Sequence, residues 1–304
     1  MKQFILLLIT MFFIFSCNNI NKENLCLNTK KSTLELTADS LKQAGKLNEA
    51  IPIYKEIYNV TPNEKTAYSL AYSYSLYGEL DSSLIYLHKA TKCDSSIYRI
   101  FNPNLYPLIN NKEWISIKER QIDKIEIKYG KYGNRDLVNR LMLIQMKDQA
   151  YYWHAFSQPE NAEIYWKKKI ELNEENEIEA KQIIKEYGWP TRELVGIDAS
   201  GSLFLVLQHS NLSLMKTFQP ELKKMTESDT LFLPQYALLD DRINKAEGRK
   251  QLYGSQPSYD SIKQVYYLDN VVSPDSLDIR RKKMGLNPIK EYLEQWDAEL
   301  RIYE

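Results

Sequence analysis

Residues able to do chemistry gather at two places in this sequence. The stretch Leu238–Gln256, LLDDRINKAEGRKQLYGSQ, carries the pair Asp241-Arg242, then Gln251, Tyr253 and Gln256 beyond a Gly-containing turn, and the apolar string GSLFLVLQHS (201–210) ends in Gln208-His209. A histidine oriented by an aspartate can give or take a proton near neutral pH, because free imidazole titrates at about 6.5. His209 and Asp241 are therefore the candidate catalytic pair. An arginine fork grips carboxylates and phosphates through two parallel hydrogen bonds. Arg242 is on that ground a candidate anion clamp, with Gln208, Gln251, Tyr253 and Gln256 as further ligand-binding candidates. The competing reading is structural: Asp241 and Arg242 pair and close the turn, while Gln251 and Gln256 satisfy nearby backbone groups, as buried polar side chains generally do.

Other chemistries lack their residues. The histidines are His88, His154 and His209, and no HExxH or CxxC spacing occurs, so no transition-metal site and no cofactor is expected. The run 196–201 does not have the GxSxG elbow spacing, and no Gly-rich phosphate loop is present. Forty Lys plus Arg balance forty Asp plus Glu at a sequence pI near 6.9, which gives no basic footprint for nucleic acid.

The elements that must position these residues are mostly helical. Pro234 near the start and Gly248 past the end bracket a helix from about 233 to 246 that carries Asp241-Arg242 toward its C-terminal end. Beyond the turn, 251–257 and 264–268 are expected to be two short strands, as in a hairpin with a long loop. The string 201–210 is too apolar for an exposed helix and should be buried. Leu137, Leu141, Ile144, Asp148 and Tyr152 keep one helix period through 136–153. The charges of Lys167-Lys168-Lys169 and Glu174-Glu175 suit a solvated face. Asn176 and Glu179 suggest a capping box opening a helix that stops at Gly188. Two closing helices end on Tyr292 and Trp296.

The N-terminal half has a different organisation. Gly45 and Gly78 lie 33 residues apart, close to the period of about 34 found in tetratricopeptide repeats. The flanking residues resemble two such units, with Ala50 and Pro62 as expected, Ser83 in place of a small Ala, and 97–125 as a degenerate third unit or cap. Such an array either offers a concave surface to a protein or peptide partner or spaces the following domain from a membrane. Lys2 followed by the apolar run Phe4–Phe15 has the form of a secretory signal, too short for a bilayer core, which takes about 20 residues. Its end, Ile14-Phe15-Ser16-Cys17, resembles a bacterial lipobox, with Phe15 a departure from the usual residue there. An ordinary cleaved signal is the other reading.

The expected organisation is thus a lipoprotein signal peptide over 1–17 ending at a lipidated Cys17, a flexible tether over 18–32, tetratricopeptide-like repeats over 33–130 and a C-terminal domain over 131–304. Such a chain would be held at the membrane of a bacterial envelope, periplasmic or surface-exposed, through the lipid on Cys17. Cys26 and Cys93 could pair there or stay thiols. The fold class is mainly α: a short helical-hairpin array followed by an α-rich α+β domain with a small β-hairpin.

Within the C-terminal half, Gly188-Trp189-Pro190, Gly196, Gln208-His209, Asp241-Arg242, Gly248, Gln251-x-Tyr253-Gly254-x-Gln256, Arg281 and Gly285-Leu286-x-Pro288 occur in this order. The pattern resembles an uncharacterised bacterial domain family found in envelope proteins, at times after tetratricopeptide repeats. It covers roughly 131–300 and adds Arg281 to the ligand-binding candidates. Ser255 stands where the family is expected to have Thr, and Tyr152-Trp153 where an arginine is usual. The resemblance implies no activity. The expected function is that of an envelope binding or scaffold protein using repeats and C-terminal domain. The alternative is a hydrolase or transferase acting on an envelope substrate, with His209 as acid or base and Arg242 as clamp.

Overall fold

The structure is a computed structural model describing residues 32–92, 94–295 and 297–300. The signal and tether, Cys17, Cys26, Cys93 and Trp296 lie outside the described residues. The chain is mainly α with a small sheet, and it divides into two compact units, one spanning Ser32–Leu239 and the other taking in residues from Asp240 onward.

The first unit opens with two helical hairpins, α1 (Thr33–Gln43) with α2 (Leu47–Val60) and α3 (Glu64–Tyr77) with α4 (Leu80–Ala90). Ser32 and Glu35 form the capping box that starts α1. Gly45 makes the first turn at φ +80°, and a Cβ there would come within 2.7 Å of the Ser157 carbonyl oxygen, so the position needs glycine twice over. Ala38, Leu47, Ala50, Ile51, Tyr54, Leu70, Tyr74 and Leu76 form the core between these helices. Ser83, buried where a small residue is needed, donates to the Ala71 carbonyl at 2.7 Å, which satisfies its hydroxyl inside that core. The short helix α5 (Ile97–Ile100), a 3-10 segment (Pro103–Leu108) and α6 (Lys112–Tyr129) follow.

The unit continues through α7 (Arg135–Gln149), α8 (Tyr152–Ser157), α9 (Ala162–Tyr187), α10 (Arg192–Ser200), α11 (Ser202–His209) and α12 (Leu212–Ser228). Three differences from the expected elements bear on the site. The period through 136–153 breaks after Gln149, because Tyr151 takes a left-handed φ of 67° and restarts the chain as α8. Asn176 opens no helix: it lies inside the 26-residue α9, buried, with its amide on the Ile144 carbonyl at 3.1 Å. Lys169 is not on a solvated face, being only 3% exposed. It shares a helix period with buried Leu172, Asn176, Ala180 and Ile183, so the stripe of α9 that packs inward begins at a lysine. Helices α7, α9 and α11 pack against one another in every pairing.

Helix α13 (Leu233–Ala246) leads into the second unit, with Pro234 in its first turn. There β1 (Ser258–Asp260) pairs antiparallel with β2 (Val265–Leu268), and β3 (Ala298–Leu300) adds in parallel, giving the order β1-β2-β3. Residues 251–257 are a loop and not the first strand of the hairpin, and their ladder contact is one bridge from Gln251 to Val271. Helices α14 (Leu277–Lys283) and α15 (Ile289–Glu294) complete the unit over a core of Leu268, Val271, Leu277, Tyr292 and Leu293.

Candidate functional site

Of the sequence candidates, Gln208 and His209 belong to the first unit, and Asp241, Arg242, Gln251, Tyr253, Gln256 and Arg281 to the second. The two groups do different things.

In the second unit Asp241 is fully buried near the end of α13, and its carboxylate collects a run of backbone amides. One oxygen accepts from Leu252 N at 2.7 Å and Tyr253 N at 3.1 Å, and the other from Ser255 N at 2.9 Å. Burial lifts this carboxyl above the ordinary aspartate range against the pull of the amides. Gln251 closes the same loop from within, its amide on the Gln256 carbonyl at 3.1 Å and its oxygen accepting from Gln256 N at 2.9 Å. Arg281 puts Nη1 on the Tyr253 carbonyl at 2.6 Å and Nε on the Asn287 carbonyl at 2.6 Å, with its guanidinium over the Tyr292 ring. Tyr292 in turn donates to the Ser255 carbonyl at 2.7 Å. Gly254 holds φ +62° in the middle, where a Cβ would meet Leu268 Cδ2 at 2.8 Å. Tyr253 is partly exposed, while burial pulls the Arg242 guanidinium below the ordinary arginine range. Asp241, Gln251 and Arg281 thus grip the backbone of one tight loop.

His209 sits in a different setting. It is the last residue of α11, and its Nδ1 lies 2.6 Å from Asp148 Oδ1 on α7. An ionised carboxylate only accepts, so Nδ1 carries the proton of this contact. The side chains are 8% and 1% exposed. Asp148 is further held by Gln149, whose amide donates to Oδ2 at 2.6 Å, and by Lys169 of α9, whose Nζ is 3.8 Å from Oδ1. Lys169 also hydrogen-bonds Asn173 one turn on, and its ammonium stands 5.1 Å from the Tyr152 ring centre.

Burial pushes the Asp148 carboxyl up, but the charges facing it from His209 and Lys169 outweigh that and hold it below the ordinary range. Burial draws the Lys169 ammonium down, with Asp148 opposing. Around them Gln145 bonds the Ser202 hydroxyl at 2.8 Å and buried Asn176 bonds the backbone of α7. Each of the three mutually packed helices therefore contributes one ionisable side chain to a shared buried point. This arrangement can orient an imidazole, hold a fixed negative charge behind it and pass a proton through Nε2.

The model of DUF6624, a family of unknown function, matches residues 137–300, more than half of the chain. The chain belongs to that family. Asp148, Lys169, His209, Asp241 and Arg281 all fall within the matched region. The resemblance drawn from the 188–288 pattern is thereby shown at the level of a family of unknown function. No curated protein matches the chain, and no solved structure matches it.

The sequence reading put an aspartate beside His209 but looked for it at Asp241, because Asp148 is 61 residues away in the chain and the two meet only through α7 against α11. Lys169 was missed because two exposed lysines precede it. The signal that could have found it is the spacing Lys169, Leu172, Asn176, Ala180, Ile183, which continues an apolar stripe back to a cation. Among the described residues, no group of three or more His, Cys, Asp or Glu is arranged to hold a metal ion.

Proposed function

We propose that the DUF6624 region of this chain is a proton-transfer centre of a hydrolase or transferase, with His209 as general base and then general acid and Asp148 as the residue that orients it. The observation that carries this reading is the 2.6 Å contact between His209 Nδ1 and an aspartate that is almost completely buried. A carboxylate withdrawn this far from water is costly unless paired. Here it is paired with an imidazole and fixes its tautomer and ring plane. His209 Nε2 would take the proton of a hydroxyl nucleophile as its oxygen attacks the substrate, and return that proton to the leaving group.

A second reading concerns the N-terminal half and rests on a separate feature. Apolar residues such as Ile51, Tyr74 and Tyr77 and polar ones such as Asn48, Lys55 and Glu79 together line an open depression of about 750 Å³ on α2 and α3. A mixed surface of this kind suits a protein or peptide segment, in keeping with tetratricopeptide-like repeats that recruit a partner or substrate. The signal-like N-terminus with Cys17 at its lipobox-like end supports an envelope lipoprotein. The chain would then be lipid-anchored, with the repeats and the DUF6624 region on the same side of the membrane.

The test of the catalytic reading is a panel of ester, amide, phosphoester and glycoside substrates, assayed with the full chain and with His209→Ala and Asp148→Asn. General acid–base catalysis contributes about 10²–10⁴-fold, so both substitutions should cut turnover of any accepted substrate by that order. Turnover unchanged by His209→Ala would sink the reading.

A further inference from the structure

Lys169 is a charged residue at this centre that no sequence motif points to, and its geometry defines a role. Its side chain is 4% exposed, its Nζ lies 3.8 Å from the same Asp148 oxygen that His209 contacts, and Asn173 accepts a hydrogen bond from it one turn along α9. We propose that Lys169 is a positioning residue of the His209 centre: its buried ammonium keeps Asp148 ionised while His209 is neutral, so that the proton taken from substrate goes to His209 and not to Asp148. The inference rests on the reading of His209 as a proton-transfer residue and adds the order of its steps.

The charge count carries the argument. With His209 neutral, Lys169 and Asp148 form a neutral pair in a buried setting. Without Lys169, Asp148 would be an uncompensated charge facing a neutral imidazole, and it would take up a proton itself. A protonated carboxyl has an oxygen that can donate, and it no longer requires a proton on Nδ1. The dyad would lose its preferred tautomer. With Lys169 present, proton uptake by His209 leaves the centre at a net charge of plus one. That charge stabilises the anionic oxygen formed when a hydroxyl gives up its proton and attacks. The resting centre is therefore set for base catalysis first, with acid catalysis following once His209 holds the proton. Burial draws the Lys169 ammonium down and Asp148 opposes it, which agrees with a cation whose charge is matched by this carboxylate while Asn173 accepts its hydrogen bond. The Tyr152 ring beneath it adds an attractive face without adding charge.

The test uses the full chain and a readout that needs no substrate. A histidine Nδ1–H shared with a carboxylate gives a proton resonance well downfield of other imidazole protons. It should be present in the wild type and absent in His209→Gln. In Lys169→Met, which keeps the apolar stem and removes the charge, the resonance should disappear or move strongly upfield, and in Lys169→Arg it should return.

Thermal unfolding supplies a second measurement should Lys169→Met fold poorly. Removing one partner of a buried pair is costly, whereas removing both is often close to neutral. Lys169→Met should therefore lower Tm by roughly 5–10 °C, and Lys169→Met combined with Asp148→Asn should recover most of the loss. An unchanged downfield resonance in Lys169→Met overturns the role given to Lys169 while leaving the dyad intact. A double variant no more stable than Lys169→Met also overturns it, because the stem and not the charge would then be what matters. Absence of the downfield resonance from the wild type overturns both the dyad and the role of Lys169.

Discussion

Two partly buried histidines in the first unit show how a neighbouring charge decides what an imidazole can do. His209 faces a carboxylate at 2.6 Å, whereas His154 sits among Tyr151, Trp153 and Tyr165 with Lys168 close by. Burial draws the His154 imidazole below the ordinary histidine range, and the Lys168 charge pulls the same way. Among the described residues its Nδ1 is buried with no hydrogen-bond partner. A depressed value means that the unfolded chain takes up this proton first as pH falls. The stability contributed by neutral His154 is thus complete above about pH 6.5 and is lost progressively below it. His154→Gln should reduce the loss of Tm between pH 7 and pH 5 relative to the wild type, as measured by differential scanning fluorimetry. Equal losses in both proteins would remove His154 as a source of acid sensitivity. Asp148 acts in the same direction at lower pH: its carboxyl is held low, so its contribution is complete above the ordinary aspartate value and is lost progressively as pH falls from there through the lower folded value.

At the scale of elements, the two units use polar side chains in contrasting ways. Near the end of α13 a single carboxylate, Asp241, serves Leu252, Tyr253 and Ser255 at once, and α14 brings two arginines to the same loop. Arg280 bonds the Leu252 carbonyl at 2.7 Å while Arg281 takes Tyr253. Those contacts stand in for the ladder hydrogen bonds that residues 251–257 would have made as a strand. Asp241→Ala should therefore destabilise the second unit by about 3 kcal/mol, since each buried amide left unsatisfied costs about 1–3 kcal/mol. Chemical denaturation would give the loss, and amide hydrogen exchange should quicken first at 252–256. Exchange that quickens evenly across the chain would argue against a local organising role. In the first unit, by contrast, α7, α9 and α11 turn Asp148, Lys169 and His209 on one another and not on backbone, which is why the acid–base assignment rests there. Helix α8 is tied to the first helical hairpin as well, through Trp153 Nε1 on the Lys42 carbonyl at 2.9 Å.

For the whole molecule the remaining prediction concerns the membrane. In cells fed a tagged fatty acid, the wild-type chain should carry the label and partition with membranes, and Cys17→Ser should do neither. Labelling that survives Cys17→Ser would place the anchor elsewhere. Much of the architecture was legible in the sequence because it depends on local rules. Helical hairpins around Gly45 and Gly78, the Pro234-to-Gly248 bracket and a buried helix ending at His209 all follow from periodicity and from what glycine and proline do to the backbone, whereas the first hairpin strand, expected at 251–257, lies at 258–260. Family membership was legible too, since it lies in the order of residues along the chain. Local rules erred where a tertiary contact overrode them. Asn176 and Lys169 look like cap and surface on a charged helix, yet both face inward because α9 packs on α7 and α11. The sequence by itself determined that His209 would emerge at the end of a buried helix and that a Gly turn would follow α13. Only the tertiary structure decided that the carboxylate behind His209 is Asp148 and that a buried lysine shares it. The cost of burying a charge depends on which other charges the packing brings within a few ångströms, and that is a property of three helices together and of none alone.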